Sequence, residues 1–203
     1  MAWTQTTSGK AFSLTKPNAD DVNFDKDVAP QLSRLARFVG ATSGDCAYSV
    51  AQHSVLGAES LYVATGSARL AALFTLHDGH EYVIGDWTSP AVEALAERLG
   101  GIVIEAIEDL KHSIDEAIHK AAGIAMPTIS EVQILRAHDL AMLAAERNAL
   151  MSPCPSRWRI DAIGVKPANV DPLDLRPWDE SVAADEFRDA LEKFLRPARD
   201  EVR

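Results

Sequence analysis

Three residues of this 203-residue chain, His53, His77 and Asp139, place metal-ligating side chains where an apolar residue is expected, and a fourth, Asp78, stands next to His77. His53 shares one side of a helical stretch with Val50 and Leu61, and small Gly57 lies between them. His77 ends the run Leu70, Leu73, Phe74, with Asp78 beside it and Glu81 one turn on. Asp139 falls within Val132, Leu135, Asp139, Met142, whose members recur at helical steps. A buried carboxylate is costly unless it is paired or bound to a metal. Two imidazoles and two carboxylates converging from three helices therefore predict a divalent-cation site of mixed nitrogen and oxygen character. Each residue alone says less. A lone His on an apolar face is more often a hydrogen-bonded core residue, and a lone Asp such as Asp139 can sit at a helix junction. The adjacent pair His77-Asp78, where an apolar helix ends and a loop begins, is harder to explain that way.

The elements that must position these residues are read from apolar periodicity and from Gly and Pro punctuation. Residues 1–26 are polar, broken by Gly9 and Pro17, and read as an extended or looped lead-in. A helix is expected from Asp27, carrying Val28, Leu32, Leu35 and Val39 until Gly40. Further helices are expected over about 49–64, from about Ser67 to near Gly85, from Pro90 to Gly123 with a break at Gly100-Gly101, over about 128–151, and over about 179–195. Ser89 reads as an N-cap, with Pro90 at the first helical position. Five prolines make residues 152–178 irregular, a segment expected to wrap the surface or meet another subunit. No strand pattern or internal repeat is evident. The expectation is an all-α bundle of about six or more helices, one domain over 1–203, with its core at about 27–151 and a C-terminal extension packed on that core or on a dimer partner.

Around the candidate ligands, Tyr48-Ser49-Val50-Ala51-Gln52-His53-Ser54, then Leu76-His77-Asp78, and later Asp139, resemble the HD-domain phosphohydrolases. Within that superfamily the chain is most similar to the small bacterial and phage group that includes 5′-deoxynucleotidases. The spacing of His77-Asp78, Glu81, Gly85-Asp86 and Pro90 carries the more specific part, and the likeness extends from about Trp3 to Met151. The resemblance implies that His53, His77, Asp78 and Asp139 hold one divalent ion (Mn, Co, Fe, Zn or Mg). It makes Glu81 the catalytic glutamate and Asp86 a second acidic residue of the site. It sets Arg37-Phe38 against the nucleotide, with Phe38 standing where the family carries Trp, and it implies a homodimer. The expected reaction is hydrolysis of a nucleotide phosphate ester, most simply a nucleoside 5′-monophosphate. The alternatives are a dNTP triphosphohydrolase and a catalytically silent metal-binding regulatory domain. The chemistry agrees: hydrolysing an anionic ester needs charge neutralisation and an activated water, Glu81 would orient that water or move its proton, and Arg37 would clamp phosphate oxygens.

His80, between Asp78 and Glu81, either binds phosphate or acts as an auxiliary acid beside the ligands, or points outward. His112 and His119, seven apart among charged residues, read as a solvated helix face. Gly9-Lys10 lacks the glycine-rich cradle of a phosphate-binding loop. Trp158 and Trp178 are candidates to dock the extension. An apolar content of 47% argues against a disordered chain. The formal charge of −10, without a basic stripe, argues against duplex nucleic acid as a partner but leaves a small nucleotide open. Cys46 and Cys154, with no CxxC spacing, read as reduced, partly buried thiols. The amino terminus lacks a signal-peptide layout and no apolar run approaches a membrane span, so the cytoplasm is expected.

Overall fold

The structure is a computed structural model and describes residues 2–200; Met1 and residues 201–203, the ends of the expected 1–203 domain, lie outside the described residues. The chain is an all-α helical bundle with one small sheet. Helices are α1 (Ala29–Arg34), α2 (Val50–Thr65), α3 (Ala68–Leu76), α4 (Glu81–Ile84), α5 (Ser89–Leu99), α6 (Ile102–Ala122), α7 (Ile129–Leu150), α8 (Arg159–Ala162) and α9 (Glu180–Asp200).

The lead-in is more ordered than its polarity predicts. Strands β1 (Trp3–Gln5) and β2 (Ala11–Ser13) form an antiparallel hairpin, and β2 buries Phe12 against Tyr82. The turn between them is tied down where Ser8 donates from its backbone N–H (2.6 Å) and hydroxyl (2.8 Å) to buried Asp27. Three-residue strands carry too little alternation to be read from sequence.

The expected first helix also ends early. A π-turn over Phe24–Val28 runs into α1, which stops at Arg34. Leu35–Arg37 then pairs with 48–50 through an antiparallel bridge between Ala36 and Ser49, with Arg37 N–H donating to Tyr48 O and Val50 N–H to Leu35 O. Arg37–Gly40 forms a tight turn in which Phe38 and Val39 both take φ of 55°. Left-handed backbone is unusual for any non-glycine residue and strained for β-branched Val39. Arg37-Phe38 is thus a strained corner and not a helix end.

α2, α3 and α9 pack around the shared core, with α1 against α2 and α9. Ser49 and Ser67 cap α2 and α3 by accepting from the N–H groups of Gln52 and Leu70. Gly57 lets the two helices touch: a Cβ there would lie 2.1 Å from the Phe74 ring. α9 buries Ala183, Phe187, Ala190, Phe194 and Ala198 at helical spacing, so the C-terminal helix belongs to the core. Buried Gln52 anchors the irregular segment. Its Nε2 donates to Asp174 O and Arg176 O, and its Oε1 accepts from Trp178 N–H. The break at Gly100-Gly101 separates α5 from α6, and the N-cap before Pro90 is Thr88, one residue earlier than expected. No described helix is long and apolar enough to cross a membrane.

Candidate metal centre

Ligand atoms of His53, His77 and Asp139 all lie within 4.8 Å of one another, and Asp78 borders this group through the two imidazoles. His53 on α2 is fully buried. Its Nε2 lies 3.3 Å from His77 Nε2, 3.3 Å from Asp139 Oδ1 and 3.8 Å from Asp78 Oδ2. His77, at the end of α3, places Nε2 3.2 Å from Asp78 Oδ2 and 3.9 Å from Asp139 Oδ1. Two ligands about 2.1 Å from a shared ion are about 3.0 Å apart at a right angle and about 4.2 Å apart when opposed. All five separations fall in that range.

The outer nitrogens strengthen the fit. His77 Nδ1 donates to Phe74 O at 2.6 Å, and His53 Nδ1 donates to Glu146 Oε1 at 2.5 Å. With both Nδ1 atoms engaged as donors, Nε2 is the nitrogen of each ring left to a metal once a proton there is displaced. The Phe74 ring, 4.2 Å from His77 and 5.6 Å from His53, packs against both imidazoles. His138, next to Asp139, has a structural role instead, donating from Nε2 to Gly57 O.

Protons and a cation compete for the same lone pairs. Burial and Arg37 disfavour charge on His53, but Glu146 and Asp139 outweigh them and raise its pKa. Burial likewise opposes charge on His77, and Asp78 and Asp139 raise its pKa well above the usual value. Burial pushes Asp78 and Asp139 upward, yet the imidazoles hold both carboxyls below the ordinary range. The cluster is built to carry positive charge among its carboxylates.

Glu146 is the central residue that sequence reading missed. It is fully buried on α7, accepts from the Tyr48 hydroxyl at 3.0 Å as well as from His53, and lies 3.3 Å from Arg37 Nε. The series Val132, Leu135, Asp139, Met142 reaches Glu146 if carried one step further, and that was the available signal. Arg37 turns inward, with NH1 3.3 Å from Asp78 Oδ2 and NH2 4.0 Å from Asp139 Oδ1. It braces the carboxylates. Phe38 instead meets Trp158 edge-on, with ring centroids 6.2 Å apart.

Glu81, at the start of α4, is buried, and its pKa is pushed up to about 9 by burial and by the neighbouring carboxylates Asp78 and Asp86. Asp86 is half-buried and is also raised by burial. His80 does not point outward: it is buried, with Nδ1 3.0 Å from Asp115 Oδ1 on α6. His119 overturns the solvated-face reading. His112 is exposed, but His119 is buried, because only the second half of α6, from Ile114, enters the core. Cys46 and Cys154 are both exposed, not partly buried.

A pocket of about 290 Å³ opens beside the cluster. His77 and Asp139 reach its wall together with Asp115, His119 and Arg136, and Leu73, Met126 and Leu135 supply apolar surface.

No family model matches the chain. An uncharacterised protein of Rhodobacter capsulatus is 36% identical over 141 residues. That stretch is 67% of this chain and 65% of the relative's length, so just under two thirds of the relative is covered.

Proposed function

We propose that the protein is a metal-dependent phosphohydrolase acting on a nucleotide phosphate ester, with a deoxynucleoside 5′-monophosphate as the first substrate to try. The reading is carried by one observation: His53 on α2, His77 just past α3 and Asp139 on α7 meet at ligand spacing beside a pocket, with Asp78 against both imidazoles. A divalent cation held there would polarise a phosphoryl oxygen and lower the pKa of a bound water. Arg37 and Glu146 keep the ligands aimed. Glu81, next to the cluster, holds or moves a proton; its pKa of about 9 falls when positive charge enters among the carboxylates. The pocket volume lies near the lower bound of small-molecule sites, ~300–1,000 Å³, which favours a monophosphate over a larger ester. Its apolar wall suits a base or sugar, and Arg136 suits phosphate.

The test is a screen of nucleoside mono- and triphosphates with Mn²⁺, Co²⁺, Zn²⁺ or Mg²⁺, with products identified. Orthophosphate released from deoxynucleoside monophosphates, and lost in His77→Ala and Asp78→Ala, is the expected result. Tripolyphosphate released from dNTPs would transfer the reading to a triphosphohydrolase. Protein that binds no metal and hydrolyses nothing refutes it.

A further inference from the structure

We propose that Asp78, His80 and Glu81 form a second divalent-cation site that shares Asp78 with the first, so that each chain binds two ions; the inference rests on the first site through that shared aspartate. One ligand atom from each of these residues lies within 4.8 Å of the other two. Two of the three carry a buried polar atom that no protein group satisfies. His80 is 5% exposed, and its Nε2 has no hydrogen-bond partner. Glu81 is 7% exposed, and its Oε2 has none. Buried polar atoms are ordinarily paired, so two orphans in adjacent residues call for an occupant.

The construction repeats that of the first site. There, Glu146 takes the Nδ1 proton of His53 and leaves Nε2 free; here Asp115 takes Nδ1 of His80 and leaves Nε2 free. A carboxylate behind an imidazole is the usual support of a metal-ligating histidine. Asp78 can serve both sites, because Oδ2 is turned to His77, His53 and Arg37, which leaves Oδ1. A purely structural role, tying the α3–α4 turn to α6, accounts for the Nδ1 contact to Asp115. It explains neither Nε2 of His80 nor Oε2 of Glu81. Two carboxylates and one imidazole favour an oxygen-preferring cation such as Mn²⁺ or Mg²⁺, whereas the first site has two imidazoles.

The experiment is Mn²⁺ binding to the full chain after chelator treatment, counted by equilibrium dialysis and native mass spectrometry. Electron paramagnetic resonance then reads whether bound ions are coupled. Two Mn²⁺ per chain with an exchange-coupled spectrum are expected. His80→Ala and the isosteric Glu81→Gln should each bind one Mn²⁺ with an uncoupled spectrum, and Asp115→Asn should weaken the second ion about 10- to 100-fold. If His80→Ala does not fold, by circular dichroism, Glu81→Gln carries the same comparison. One Mn²⁺ in the wild type, abolished by His77→Ala, overturns the second site and leaves the proposed function standing. No Mn²⁺ in the wild type overturns both. Two Mn²⁺ in Glu81→Gln or in folded His80→Ala also overturn the second site.

Discussion

Glu146→Gln separates a ligand-supporting role from a merely structural one. Out of contact with solvent, the carboxylate accepts from two donors on Oε1, His53 Nδ1 and the Tyr48 hydroxyl, and its Oε2 lies 3.3 Å from Arg37 Nε as an ion pair without a hydrogen bond. Gln keeps the shape but supplies one acceptor oxygen and no charge. If that oxygen stays with His53 and Tyr48, the new NH₂ faces Arg37, donor against donor. Breaking a buried ion pair from one side costs about 3–5 kcal/mol. Arg37 retains Asp78 at 3.3 Å, so about 2–3 kcal/mol of stability is the expected loss. A second effect is separate. Without the carboxylate behind Nδ1, His53 is a weaker base, and loss of such support lowers metal affinity about 10- to 100-fold, or about 1.4–2.7 kcal/mol. Urea denaturation with chelator present reads the first effect, and calorimetric titration with Mn²⁺ reads the second. A folded variant with lower stability but Mn²⁺ affinity within about twofold of wild type would refute the claim that Glu146 tunes His53.

Gly57→Ala would push a methyl into the buried Phe74 ring, which packs on both ligand imidazoles. Overpacking of about 1–3 kcal/mol, less about 0.5–1 kcal/mol regained in helix propensity, leaves a net loss in chemical denaturation; Mn²⁺ affinity should fall with it, and an unchanged affinity would show that Phe74 does not position the rings. In chelator-treated protein, Glu81→Gln should be stabilising, increasingly so from about pH 5 to pH 9. The folded wild type keeps the Glu81 proton up to about pH 9 while the unfolded chain loses it near 4.5, so wild-type stability falls across that window by at most about 1.4 kcal/mol per pH unit. A pH-independent difference between the two proteins in urea melts would contradict this. Glu131 behaves in the opposite sense: its bond from Arg69, supported by Thr128, depresses its pKa to about 2, so its contribution is present above about 4.5 and lost as pH falls toward 2. Glu131→Gln should therefore narrow its stability gap to wild type between those pH values, followed by thermal melts.

The parts of the site that were legible are those encoded within one element. His53, His77 and Asp139 announce themselves as polar residues on apolar faces, because helical periodicity is a local property. The all-α class follows from the same signal. What escaped depends on contacts between distant segments. Leu35 and Val39 continue the helical spacing of Val28 and Leu32, yet pairing of Ala36 with Ser49 draws 35–37 into a bridge and bends the chain at Phe38-Val39. Sequence spacing therefore placed Arg37 at a helix end, and the family resemblance set it against the nucleotide, where the fold turns it onto three carboxylates. His112 and His119 do share a helix face, but α6 enters the core only in its second half, which buries one and exposes the other. The same entry brings Asp115 to His80. Residue type and spacing identify which groups can bind a cation; the supporting carboxylates Glu146 and Asp115 come from other helices, and they decide which ring nitrogen is free to bind. The tautomer of His77 is set locally by Phe74 O, whereas those of His53 and His80 are set by tertiary contacts, so mutating the supporting carboxylates tests the metal reading at these two residues more sharply than removing the ligands.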